Sequence, residues 1–216
     1  MELIQYNFSI TNDTSLPFTS DNGDGNLLVV LVTFNAGQPT DTYMVDDTNN
    51  NVYQTLGKRI FPNPAIGGNS QLFYAFNSVA GPNTVSWHAS VPSTVIGFVI
   101  HEFSLVNALD VHAVATGSGA SQDSGPITTN FANALLFGYE AGINQNSATS
   151  GVGWTSVEIP NVSTQCRTQY QVVSSIGTYN STTTTTSGKS QTNHWVEEIL
   201  AFYEAVPVPR STIIEF

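Results

Sequence analysis

The chain is written in short stretches of alternating apolar and polar residues, rich in β-branched and aromatic side chains, broken at roughly ten-residue intervals by Gly, Asn, Asp and Pro. A side-chain period of two belongs to strands with one buried face. It is clearest over Leu27 to Asn35, Val95 to Phe103 and Cys166 to Val173. Between such stretches, Asn22-Gly23-Asp24-Gly25, Gly67-Gly68-Asn69 and Gly81-Pro82-Asn83 supply the positive-φ and fixed-φ residues that tight turns require. The pattern predicts an all-β protein of about a dozen short strands, an antiparallel β-sandwich of jelly-roll type. No fixed-period repeat marks a propeller.

Along the chain, Leu27 to Val32 is a continuous apolar run, as expected of a central strand covered on both faces. Thr40 to Asp46 and Val52 to Leu56, joined through Asp47-Thr48-Asn49-Asn50-Asn51, read as a hairpin, and so do Thr84 to His88 and Val95 to Phe103. Gly117 to Gly125 reads as a long exposed loop, and Thr182 to Thr186 as a solvated strand end or loop. Trp195 to Ala205 suits an amphipathic helix or a strand by spacing alone. We expect a single sandwich domain over 1–205 and an extended Pro-containing tail over 206–216.

Charge narrows the partners. Sixteen acidic residues against five basic give a net charge of −11, and the basic ones form no cluster larger than the pair Lys58-Arg59. Phosphate binding draws on several Lys or Arg at once, so nucleic acid is not an expected partner, and anionic membranes are disfavoured by the same repulsion. No apolar run reaches the roughly 20 residues of a membrane helix, and the N-terminus has no signal-peptide pattern, so a soluble chain without membrane insertion is expected. The one cysteine, Cys166, excludes an internal disulfide and is expected to be a buried strand residue. Few cysteines and lysines with abundant Ser, Thr and Asn suggest an extracellular or cell-surface location.

An ordered set of segments carries a resemblance. Asp24 to Val30, Val45 to Tyr53, Gln71 to Asn77 with Ala80 to Val85, His101 to Ser104, Ala108 to Val111, Thr129 to Gly138 and Trp195 to Phe202 together resemble a secreted bacterial β-sandwich module of large extracellular and cell-wall-associated proteins. The resemblance spans Ile4 to Tyr203. It implies a jelly-roll-like sandwich, a strand over Trp195 to Phe202, and, by analogy with carbohydrate-binding modules, recognition of polysaccharide or cell-surface glycan.

Candidate chemistry is sparse. Asp21, Asp24 and Asn26 place oxygen ligands in one turn, the chemistry of a structural calcium, without the spacing of an EF-hand. The second acidic turn, Asp46 to Asn51, is explained by Asx hydrogen bonds. Tyr43, Tyr53, Phe61 and Tyr139, close to turns, are the expected surface rings for stacking on sugar, whereas Trp87, Trp154 and Trp195 fall at core positions. His88, His101, His112 and His194 show no tight ligand spacing and read as surface or half-buried. Among Glu102, Glu197 and Glu198 at least one must point inward, where a donor such as Arg167 is required. The function that follows is a non-catalytic extracellular binding module for glycan recognition or surface attachment. The alternatives are a self-assembling structural subunit of a surface layer, filament or virion, and a polysaccharide-active enzyme using Glu102 with a C-terminal Glu.

Overall fold

In the computed structural model, residues 1–35, 41–62, 68–143, 148–157, 164–185 and 194–204 are described. The tail over 206–216 and the end of the threonine run lie outside them. Every regular element among these residues is a β-strand, and the sheets are antiparallel throughout, as the alternation predicts.

The first half of the chain contributes β1 (Leu3–Ser9), β2 (Ser15–Pro17), β3 (Leu27–Asn35), β4 (Tyr43–Asp47), β5 (Gln54–Ile60), β6 (Gly68–Ala75), β7 (Thr84–Ala89) and β8 (Thr94–Phe103). They form a five-stranded sheet in the order β1-β8-β3-β6-β5 and a three-stranded sheet β2-β7-β4. The second half contributes β9 (Ala108–Ser118), β10 (Ser121–Asp123), β11 (Ile127–Thr128), β12 (Ala134–Ile143), β13 (Ala148–Ser150), β14 (Thr155–Val157), β15 (Thr164–Val173), β16 (Thr178–Tyr179), β17 (Thr182–Thr185) and β18 (His194–Tyr203). Its five-stranded sheet runs β9-β18-β12-β15-β14 and its three-stranded sheet β10-β17-β13, with β11-β16 as an added pair. Matching β1 to β9, β3 to β12, β6 to β15 and β8 to β18 superposes the two strand orders, so the chain carries one topology twice. The repeat is one of topology, not of sequence period.

Burial follows from this layering. On β3 the side chains of Leu27, Val29 and Leu31 face the other half and pack with Phe103, Leu135, Phe137, Leu200 and Phe202 between the two large sheets. Those of Leu28, Val30, Val32 and Phe34 face the small sheet and pack with Val45, Val85 and Trp87. In the second half Ala134, Leu136, Ile199 and Ala201 form the corresponding outer layer under Ile127, Trp154 and Tyr179. The order is therefore small sheet, large sheet, large sheet, small sheet. Both large sheets are covered on both faces, which is why Leu27 to Val32 reads as a continuous apolar run rather than an alternation and why every residue from Val196 to Phe202 is buried, Glu197 and Glu198 included.

Three expectations of local structure are corrected. The two predicted hairpins do not pair with themselves, because β4 and β7 lie in the small sheet while β5 and β8 lie in the large one. Each connection crosses between layers, and spacing alone does not distinguish a crossing from a hairpin. Gly117 to Gly125 is not a long loop: β9 runs to Ser118 and β10 starts at Ser121, with Gly119 at φ 111° making a tight turn that a side chain would strain. The threonines form β17, where Thr183 and Thr185 are buried and Thr182 and Thr184 are not.

Candidate ligand-binding surface

The outward face of each large sheet ends in a row of register partners. In the first half that row is Gln5, Glu102, Leu28 and Ala75, and in the second it is Ala108, Tyr203, Ala134 and Val173. The same place in the fold thus holds a carboxylate in one half and a phenol ring in the other. What each does to the loop above it differs accordingly.

Glu102 is fully buried and accepts hydrogen bonds from Gln5 Nε2 (2.6 Å), Asn22 Nδ2 (2.8 Å), the Gly23 backbone N–H (2.7 Å) and Asn26 Nδ2 (2.7 Å). Four donors satisfy a buried carboxylate without a cation. They fold the loop over 20–26 down onto the sheet end. The residues expected to hold calcium sit in this loop: Asp21 and Asp24 are exposed, and the Asn26 amide nitrogen is committed to Glu102.

At the corresponding end of the second half, Tyr203 carries the ring of Phe131 in a parallel stack, with centroids 3.8 Å apart and planes 8° from parallel. Phe131 lies in the loop between β11 and β12 and is 42% exposed, because only one of its faces is covered. The loop is clipped from the side by Asp110 of the edge strand β9. Its carboxylate accepts the Asn130 backbone N–H and the Asn130 side-chain amide, both at 2.8 Å. The result is an exposed aromatic face supported by a second ring and flanked by a carboxylate and an amide on the surface. That combination presents an apolar platform and polar groups to one ligand.

The four rings expected at the surface are placed otherwise. Tyr43, Phe61 and Tyr139 are buried, and Tyr53 is half-buried with its hydroxyl donating to Asp47 Oδ2 at 2.8 Å. Nearness in sequence to a turn does not mean exposure: Tyr43 packs with Phe34 and Trp87 between the small and large sheets, and Phe61 and Tyr139 lie in the core between the two large sheets. Trp87 and Trp195 are buried as expected, and Trp154 packs on the outer layer of the second half. Phe131 and Tyr203 were missed; an aromatic set between Asn130, Ala132 and Asn133, out of phase with any strand, was the available signal.

The acidic turn after β4 is an Asx structure, as expected. Asp47 accepts the backbone N–H groups of Asn49 and Asn51 and the side chains of Asn51, Asn83 and Tyr53. Burial alone would raise its carboxyl, but these hydrogen bonds outweigh it and hold the group below its usual range.

The three glutamates are all fully buried, in three different layers. Glu102 lies under the first half's loop, Glu197 faces the small sheet of the second half, and Glu198 faces the seam between the large sheets. The inward glutamate on the seam is paired by Arg59, not Arg167: Arg59 donates to Glu198 at 2.6 and 3.1 Å, and Tyr139 donates at 2.8 Å. The hydrogen bond to Glu198 raises the Arg59 guanidinium, and burial with the Glu198 charge raises the Tyr139 phenol. This group ties β5 of one half to β12 and β18 of the other.

The histidines do not converge. His88 is exposed beside Asp46, His112 is half-exposed at the seam, and His101 is fully buried, against the expectation of a surface or half-buried ring. Among the described residues no three His, Cys, Asp or Glu side chains come together as a metal would require. Cys166 is buried, and burial pushes its thiol well above the ordinary value. Comparison with known proteins gives no match: no family model, no curated protein and no solved structure is significantly similar to this chain.

Proposed function

We propose that this protein is a non-catalytic extracellular binding module that recognises glycan at the Phe131 platform. The observation that carries the reading is an aromatic ring 42% exposed and backed by Tyr203, with Asp110 and Asn130 beside it. A sugar ring offers an apolar face of C–H groups to such a surface and hydroxyls to the flanking carboxylate and amide. With a net charge of −11, the chain suits neutral polysaccharide better than polyanionic chains.

The strand orders support the finer description of each half as a jelly roll, with the first and last strands adjacent and the small sheet closing over the large one. The two halves share an interior, which supports reading them as one unit. Calcium at Asp21, Asp24 and Asn26 is not needed for this proposal, because Glu102 accounts for the fold of that loop.

The test is retention on insoluble neutral polysaccharides, with Phe131→Ala alongside the parent protein. Retention is expected to fall about two- to tenfold, since stacking on one aromatic ring contributes about 0.5–1.5 kcal/mol, while the thermal midpoint holds. Equal retention of the two proteins, or none by either across a glycan array, overturns the reading. A self-assembling surface subunit is favoured by one feature, the 11-residue edge strand β9, whose residues from Val111 to Ser118 alternate between half-buried and exposed. Light scattering separates the two, since a binding module need not assemble.

A further inference from the structure

The layer between the small and large sheets of the second half is polar at the end far from Phe131. Glu197 lies six positions before Tyr203 on β18, about 20 Å along the strand. Its register partner on β12 is Glu140, itself opposite Arg167 on β15. Above them the small sheet presents a row of register partners, Gln122, Thr183 and Ser150. The Thr183 hydroxyl reaches Glu197 Oε1 at 3.3 Å, which fixes this row as facing the carboxylate.

Only one side of that carboxylate is used. Glu197 Oε1 accepts from Ser181, Thr183 and Gln169, and Ser181 comes this close because Gly138 beneath it has no Cβ to collide with its hydroxyl. Glu197 Oε2 has no partner. Neither do both polar atoms of Gln122, Gln169 Oε1 or the Ser150 hydroxyl, and all are shielded from solvent. Gln122 is 1% exposed and Glu197 0%. Buried polar atoms are ordinarily satisfied, so this many open oxygens facing one layer require an occupant.

We propose that this layer holds an alkali cation, Na+ or K+, bound by Glu197 Oε2 with the amide oxygens of Gln122 and Gln169 and the Ser150 hydroxyl. Hard oxygen ligands without thiol or imidazole select a hard cation. Glu140, Glu197 and Arg167 are register partners in one row, so two carboxylates and one guanidinium leave one net negative charge there, which a monovalent ion matches. A proton on Glu197 would neutralise it equally, and burial with the Glu140 charge does push that carboxyl well up. But one proton leaves the open oxygens of Gln169 and Ser150 as they are, whereas a cation gathers them.

The test compares thermal midpoints in NaCl, KCl and choline chloride at equal ionic strength, since choline is too large to enter. The parent protein is expected to melt about 5 °C higher in the alkali salts. Glu197→Gln and Gln122→Leu are expected to melt alike in all three; the second leaves the carboxylate in place and keeps the side-chain volume. A crystal soaked in a thallium(I) salt is expected to show an anomalous peak beside Glu197 Oε2. Equal midpoints for the parent in all salts, a response to calcium alone, or a water without anomalous signal at that point each overturn the proposal.

Discussion

Acid should destabilise this protein through one histidine. His101 stands on β8 in the seam between the large sheets, fully buried, with Nε2 2.9 Å from the Thr168 hydroxyl of the facing sheet. Its ring lies 6.0 Å from that of Phe103 and meets Phe137 edge-on at 5.2 Å. Burial lowers its pKa from 6.5 to about 3, against a smaller raising effect of the Val29 backbone. The unfolded chain therefore takes a proton near pH 6.5, and the folded one only near 3. Between those values the unfolded state binds more protons, so the contribution is complete above 6.5 and is lost at ~1.4 kcal/mol per pH unit on acidification. By about pH 5 the loss is ~2 kcal/mol, and it approaches ~5 kcal/mol at the lower end, comparable to the whole stability of many domains. Carboxylates titrate over part of the same range. The measurement is therefore a difference. Urea unfolding followed by tryptophan fluorescence, from about pH 7.5 down to about pH 4.5, compares the parent with His101→Phe, Thr168→Val, which removes the titrating ring and its partner together. The stability gap between the two proteins should shrink or reverse by more than ~2 kcal/mol over that range. A gap that stays constant with pH refutes the argument.

Three further outcomes follow from named contacts. Arg59→Ala leaves Glu198 buried without its cation and should cost about 3–5 kcal/mol in urea unfolding, most of it recovered when Glu198→Leu is added. Glu102→Gln sets an amide N–H₂ against the two donors of whichever oxygen it replaces and should cost about 3 kcal/mol, while EDTA leaves the thermal midpoint of the parent unmoved because the loop over 20–26 is held by side chains. Leu105, in the link between halves, is 57% exposed and has a left-handed backbone at φ 57°; Leu105→Gly or Leu105→Asn should raise stability by about 0.5–1 kcal/mol, and a lower midpoint in both would contradict the strain.

The sequence was most informative where one side chain decides one local outcome. The two-residue period placed β8 and β15, the continuous apolar run placed β3, Asp47 announced its turn, and Cys166, Trp87 and Trp195 went inside. It was least informative where the outcome depends on which layer a strand joins. The turn over Asp47 to Asn51 has the chemistry of a hairpin, yet β4 leaves it for the small sheet and β5 for the large one. The buried partners of the carboxylates were equally hidden: Arg59 reaches Glu198 across 139 positions of chain, and Asn22 and Asn26 reach Glu102 across 80 and 76. The doubled topology left no sequence period because each half fills its layers differently, with aromatics and aliphatics around Trp87 in the first and with glutamine, threonine and glutamate around Glu197 in the second.

The two halves also explain why an aromatic platform belongs to only one of them. In both, a loop enters the third strand of the large sheet and crosses the end row of its outward face. Where that row offers Glu102, the loop's amides turn inward to satisfy the charge, and Asn22 ends 3% exposed. Where it offers Tyr203, no buried acceptor waits for the loop, whose polar clip is instead Asp110 at the sheet edge. Asn130 turns sideways to that clip, and the next residue, Phe131, is left lying flat on the phenol with its other face open. Introducing a carboxylate at the second end by Tyr203→Glu should therefore remove the stack without recreating the first half's clamp, since Asn130 of this loop is already held by Asp110. Such a variant is expected to lose polysaccharide retention together with several degrees of thermal midpoint, and a Tyr203→Phe variant to keep both. If Tyr203→Glu melts like the parent, the identity of the end-row residue does not govern the loop, and the explanation of the platform fails.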